Sequence, residues 1–440
     1  MVTTPTPPAE PPQAAAEAVL AGHEELIASA APPENPPRVG VWTIAVYALT
    51  MFGFQLTLLL PALFSLAYKV QLIDPAGKDA SLGFVLGVGG LISLLVGLPA
   101  GVLSDGTRLA WGRRRPFLAA GLVLSALGAL IIAVAPAITF MLAGYVVVGL
   151  ANAAIGTAIN PFLAEQVPAE QRGTVGALGG VTAAVAGVGA TLLGSFLTGN
   201  IFVLFLTPVA VLGIAALLYL VVIPDRPASE DVRVGSILDV FRNIWFNPLK
   251  HSDFALVWLG KFCLSFGSTF FSTYQLYLLQ DRLGFTPEQA GRQLGAVGGL
   301  SLLALVGSSI AGGTLSDRFK RRKPFIFLAT GLIVAGLAVA ASAPSMLLFA
   351  VGGILLSAGT GAFNSVDLAL ASDVMPEKDK AGKYMNIYYL SGTLAGVLAP
   401  LIASVILRLG GGGNYGGLFL SGAVLGLGAV VTAAKIRSVR

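Results

Sequence analysis

The sequence predicts an all-α integral membrane fold: twelve transmembrane helices in two pseudo-symmetric six-helix bundles. Three observations predict it: the hydropathy, the number of long apolar runs, and a charged motif that occurs twice. Of 440 residues, 55% are hydrophobic and 11% charged, with a mean hydropathy of +0.82; a soluble domain carries about 25% charged residues. The 55 glycines suit helices in lipid, where small residues let backbones approach closely.

Residues 1–39 are rich in Pro and Ala, lack the basic start and apolar core of a signal peptide, and read as a disordered cytoplasmic tail. A spanning helix needs roughly 20 apolar residues, and twelve such segments follow. The first six are 41–68, 83–104, 116–134, 137–163, 174–198 and 201–223, within an N-terminal bundle of 40–223. The second six are 255–280, 293–315, 325–342, 345–371, 385–408 and 415–434, within a C-terminal bundle of 254–440. Between the bundles, 224–253 is a cytoplasmic linker, and its stretch SILDVFRNIWFNPL (236–249) is amphipathic and reads as an interfacial helix.

The repeated motif lies after the second segment of each set. LSDGTRLAWGRRRPF (103–117) is echoed by LSDRFKRRKPF (315–325), and LAEQVPAEQRG (163–173) by LASDVMPEKDKAG (370–382). Offsets of 208 to 212 residues in both pairs point to duplication. Pro116 and Pro324 fall near the first turn of the next helix, where a missing N–H costs little. With the N-terminus inside, 21 of the 27 Lys and Arg residues are cytoplasmic, five (Lys69, Lys78, Arg282, Arg292, Arg408) are outside, and Lys261 is within a helix. The expectation is a multi-pass protein of the cell (inner) membrane with both termini cytoplasmic, monomeric in the bilayer.

Several function classes find no support. One cysteine, Cys263, excludes an internal disulfide, and His23 and His251 alone make no metal site. No metal and no cofactor is expected. No nucleophile–base set or phosphate loop points to an enzyme, and the net charge of +5 is distributed toward a membrane surface rather than a nucleic acid.

Polar residues inside the helices carry the functional signal, because each is costly in lipid. Lys261, Ser265, Ser268, Ser272 and Gln275 recur at steps of 4, 3, 4 and 3, one face of a helix. Ser357, Thr360, Asn364 and Asp367 do the same in the tenth segment, with weaker faces at Asn152, Thr157 and Asn160 in the fourth and Tyr47, Thr50 and Gln55 in the first. These stripes are expected to line a shared water-filled cavity, against the alternative that hydroxyls bond back to their own helices. Tyr47, Gln55, Asn152, Asn160, Ser268, Tyr274, Gln275 and Asn364 are the expected solute-binding set, with Tyr274, Tyr388 and Tyr389 as stacking surfaces.

Lys261 and Asp367 lie at similar depth, roughly 6–10 Å from the cytoplasmic face. They are expected to pair, which makes protonation of Asp367 conditional on the pair and Asp367 a coupling-proton site; a static ion pair is the alternative. Asp105 and Asp317 are expected to pair with loop arginines or helix N-termini in one conformation and release them in another. Arg113, Glu165, Arg172, Arg321 and Asp373 complete the expected gating set.

On these residues the sequence resembles the major facilitator superfamily. The pattern G-x-L-S-D…G-R-R-R-P-F at 101–117, FGFQLTLLLP at 52–61 and LAEQVP at the end of the fourth segment resemble its sucrose-transporter and glycoside–cation symporter branch. The second hinge is four residues shorter between Asp and Pro, Glu165 stands where that branch has aspartate, and 174–198 contains no arginine. The resemblance implies alternating access about a midplane site, with Asp105 and Arg113 stabilising the outward-facing state. The expected activity is proton-coupled import of a neutral polar solute such as a sugar or glycoside. Two alternatives stand beside it: a proton-driven exporter of drug-like or amphipathic molecules, which a cavity dominated by Phe270, Phe271 and Phe363 favours, and a non-transporting membrane sensor or assembly factor.

Overall fold

The computed structural model describes residues 37–97, 99–105, 107, 109, 111–225, 246–377, 381–409 and 412–436. Twelve helices in it are long and apolar enough to cross a membrane. They are α1 (Val41–Ile73), α2 (Lys78–Ser104), α3 (Arg115–Val134), α4 (Ile138–Glu165), α5 (Ala169–Leu197) and α6 (Ile201–Val222), then α7 (Ser252–Leu283), α8 (Pro287–Phe319), α9 (Lys323–Ser342), α10 (Met346–Asp373), α11 (Gly382–Arg408) and α12 (Tyr415–Lys435). The chain is a multi-pass membrane protein. Several helices overrun the apolar runs of the sequence, because polar first turns extend them beyond the hydrocarbon. The α8 start, for example, is a capping box in which Thr286 and Gln289 exchange side-chain and backbone bonds.

The two sets of six pack by one scheme. In the first, α1 packs on α5 and α6, α2 on α4, and α3 on α4 and α6; in the second, α7 packs on α11 and α12, α8 on α10, and α9 on α10 and α12. The sets meet along α2–α11 and α5–α8. Glycine permits close crossings within each half. A Cβ on Gly128 would sit 2.9 Å from the carbonyl oxygen of Gly144, and one on Gly336, 208 residues later, 2.6 Å from that of Gly352. The α3–α4 and α9–α10 pairs thus close on the same glycine-to-glycine contact, as helices without a hydrophobic driving force between them require. In α1, Pro61 has no N–H to continue the ladder, and Pro61–Ser65 is a π turn.

Among the described residues, the close helix contacts between the halves lie on one side. A Cβ on Gly83 in α2 would meet the Pro400 carbonyl and the Ser404 Cβ in α11, and one on Gly291 in α8 would lie 2.7 Å from the Ser195 Cβ in α5. Toward the side carrying the two charged hinges, Gly101 in α2 and Gly382 in α11 have nothing within 4 Å of an added Cβ. The halves therefore touch on the side away from the hinges and diverge toward the hinges. The expected disordered tail lies outside the described residues except for residues 37–39, where Val39 exchanges backbone bonds with the Gln171 side chain. Of the expected interfacial helix, 236–245 lies outside the described residues, and Phe246–Leu249 is coil and turn.

Candidate functional site

A cavity of about 520 Å³ lies between the halves. Lys261, Ser265, Ser268, Ser272 and Gln275 of α7 all line it, as do Ser357, Thr360 and Asn364 of α10. The opposite edge of α7 carries Trp258, Phe262, Phe266 and Phe270, each ring packed on the next. One helix thus shows a polar face to the cavity and an aromatic ladder elsewhere. Ser301 of α8 and Thr191 of α5 add hydroxyls, whereas Leu63, Ala184, Gly187 and Val188 make the N-terminal wall small and apolar. Phe271, Phe349 and Phe363 also line the cavity, while Phe270 is fully buried.

Behind Lys261 lies an ionic group. The Lys261 ammonium donates to the Tyr388 hydroxyl oxygen at 2.6 Å, and that hydroxyl donates to Asp367 Oδ2 at 2.5 Å. The direct Lys261 Nζ–Asp367 Oδ2 distance is 3.5 Å. The ammonium also lies 3.9 Å from the centre of the Tyr388 ring, a cation–π contact. Asp367 is 2% exposed, so its charge depends on these partners. Trp258 donates to the Ile387 carbonyl at 2.9 Å and fixes α11 against α7 beside the group. Leu49, 212 residues before Lys261 as the hinge aspartates are spaced, and Ile159, 208 residues before Asp367 as the hinge prolines are spaced, stand at the corresponding N-terminal positions. The ionic group has no N-terminal counterpart at these positions.

The rest of the expected binding set is placed differently. Tyr47 is buried and stacks on Phe162, ring centres 4.6 Å apart, inside the N-terminal bundle. Asn152 accepts from Thr57 at 3.2 Å, while Thr50 donates to the carbonyls of Val46 and Ala215, so both are used within that bundle. Gln55 is half-buried and Asn160 exposed, and neither lines the cavity. Tyr274 and Tyr388 are buried and offer no stacking face: Tyr274 donates to the Asp79 carbonyl across the interface and to the Pro400 carbonyl within its own half, and of the three tyrosines only Tyr389 is exposed. Thr50, Asn152 and Thr157 find partners inside their own bundle, and Leu63 of α1 with residues of α5 forms the N-terminal wall.

At the hinges the duplication is close. Arg113 and Arg114 donate to one oxygen of Glu165, at 2.7 and 2.6 Å, and Arg114 reaches Ser104 and the Thr157 carbonyl. In the second half, Arg322, not the expected Arg321, holds Asp317, Asp373 (3.5 Å) and Ser316. Arg114 and Arg322 both stand two residues before the proline; Arg113 and Arg321 both stand three before it, and among the described contacts only Arg113 of that pair reaches a carboxylate. The side chain of Asp105 lies outside the described residues. Arg172 pairs with no carboxylate among the described contacts; it donates to the Val167 and Ala164 carbonyls and caps the end of α4.

Sequence reasoning missed Asp225, whose Oδ2 accepts from the backbone N–H groups of Arg114 and Arg115 at 2.7 and 2.9 Å, capping α3. Its place beyond the sixth segment gave no local signal. Asp225→Ala is expected to cost about 1 kcal/mol and lower the melting temperature in detergent by about 2–4 °C. Also missed was a clamp on the side away from the hinges. Lys78 pairs with Asp281 at 2.6 Å, and the Tyr415 hydroxyl lies 2.7 Å from Asp281 and 3.1 Å from Asp79. The Tyr277 hydroxyl donates to the Ala67 carbonyl at 2.7 Å. The Lys78–Asp281 pair is partly exposed and worth at most about 1 kcal/mol. Asp281→Asn is therefore expected to shift the two-state population by no more than about fivefold toward opening on that side, read from spin-label distances between α2 and α11.

Residues 41–342 and 257–439 match the family model of the Major Facilitator Superfamily, and the chain belongs to that family of transporters of small-molecule solutes. Its fold is similar to that of a D-xylose–proton symporter (TM-score 0.68, 17% identity, covering 91% of this chain and 98% of that one). It is similar also to the nucleoside transporter NupG (0.65, 14%, 90% and 98%) and to a bacterial homologue of the human lysosomal transporter Spinster in an inward-facing state (0.61, 15%, 90% and 93%). No curated protein matches the sequence.

Proposed function

We propose that this transporter imports a hydroxyl-rich neutral solute, such as a sugar or glycoside, coupled to protons, and that it belongs to the sucrose and glycoside–cation symporter branch. The observation that carries the reading is the convergence of the α7 and α10 stripes on one cavity backed by Lys261, Tyr388 and Asp367. Hydroxyls and amides in a cavity of this size suit polyhydroxylated ligands. Protonation of Asp367 removes the counter-charge of Lys261, so proton and solute occupancy are coupled through one ionic group. Lys and Arg bias puts the hinges in the cytoplasm of a cell-membrane protein, with both termini inside. On that orientation the present state faces inward, and the Lys78–Asp281 clamp is external. The transporter works as a monomer.

Uptake of labelled sugars by proteoliposomes, with and without an imposed pH gradient, tests the reading. Accumulation only with the gradient supports it, and sugar flux indifferent to the gradient removes the coupling. Sugar binding without net flux would support a sensor instead. Phe271, Phe349 and Phe363 on the cavity wall favour a second reading, a proton-driven exporter of amphipathic molecules. Under it, the same vesicles would extrude an aromatic amphiphile and ignore sugars.

A further inference from the structure

The reading above leaves the solute uncharged. We infer that the same cavity takes a hydroxyl-rich solute bearing one carboxylate, a sugar acid, in preference to its neutral counterpart; the inference rests on Asp367 as the proton site. Lys261 is the one charged residue among those described as lining the cavity. Asp367 and Tyr388 behind it are buried, so a solute meets the ammonium and not the carboxylate. Tyr388 and Tyr389 from α11 and Asp367 from α10 are the titratable groups that face Lys261, and no titratable residue described from α5 or α8 lines the cavity.

With Asp367 ionised, the pair is neutral. A proton added to that carboxylate takes the group from zero to +1 and leaves the half-buried ammonium at the cavity wall without a counter-charge, an unfavourable state. A neutral sugar offers hydroxyls but no charge. A carboxylate restores neutrality, and one cation matches a singly charged carboxylate rather than a doubly charged phosphate. Ser268, Ser272, Gln275, Ser357 and Asn364 remain for the hydroxyls. Loaded this way, the site carries a proton and an anion together and moves no net charge.

The test uses the full chain in proteoliposomes and two probes that differ at one carbon, D-glucose and D-glucuronate. Glucuronate is expected to bind at least about tenfold more tightly. Lys261→Gln should erase that preference, while Lys261→Arg, which keeps the charge and controls for folding, should retain it. Proton-driven glucuronate uptake should be indifferent to membrane potential, whereas proton-driven glucose uptake should rise with an interior-negative potential. Equal binding, a preference that survives in Lys261→Gln, or glucuronate uptake that follows the potential would overturn the inference. Proton-driven glucose uptake with glucuronate rejected overturns it alone. No proton-driven uptake of either sugar removes it together with the reading beneath it.

Discussion

Asp367→Asn is expected to abolish proton-driven accumulation while leaving downhill exchange of solute. Asparagine keeps an acceptor for the Tyr388 hydroxyl but holds no exchangeable charge, so Lys261 stays uncompensated in every state of the cycle. Removing one partner of a buried pair costs about 3–5 kcal/mol, and the melting temperature should fall as well. Lys261→Gln in the same chain removes the stranded cation and should restore the melting temperature without restoring accumulation. Full accumulation in Asp367→Asn would show the pair to be a static structural bridge. The partition between binding and structure rests on the close geometry of Lys261, Tyr388 and Asp367, and on the lack of an ionisable counterpart at Leu49 and Ile159.

The second large effect is expected at Gly83. A side chain there collides with the Pro400 carbonyl and lies within 3.1 Å of the Tyr274 hydroxyl, both in the opposite half. Gly83→Val therefore penalises only the state in which α2 and α11 meet on the side away from the hinges. Overpacking of this kind costs about 1–3 kcal/mol, which is a population shift of about 5- to 150-fold. Solute turnover should fall by a similar factor, with stability of each bundle unchanged, because the contact lies between bundles rather than within one. Turnover at the parental rate would mean that the α2–α11 contact is not broken and remade during transport.

The scaffold was largely legible in the sequence. Hydropathy located twelve helices, and the 208-residue echo exposed the duplication, because both follow from local composition. The α7 and α10 stripes were legible for the same reason: a period of 3–4 residues puts Lys261 through Gln275 on one face whatever the tertiary contacts. The N-terminal stripes show the limit of that logic. Periodicity says that Tyr47 and Thr50 share a face, but not that Phe162 and the Ala215 carbonyl wait there to satisfy them. The Lys78–Asp281 clamp joins residues 203 apart in sequence, and Tyr388 sits between two charges on other helices. Neither relation leaves a mark in its own segment. Arg321 and Arg322 are adjacent basic residues of one loop, and their sequence does not distinguish which of them reaches Asp317 and Asp373.

The account turns on a water-filled cavity between the halves that opens toward the hinges in this state. In a Cys263→Ser chain, cysteine placed at Ser268 should react with a membrane-impermeant maleimide applied from the hinge side, and a transported solute should slow the reaction. Cysteine at Leu303, 71% exposed on the outer surface of α8, should stay unlabelled in the bilayer. A Ser268→Cys chain as inert as Leu303→Cys, with or without solute, would contradict the account.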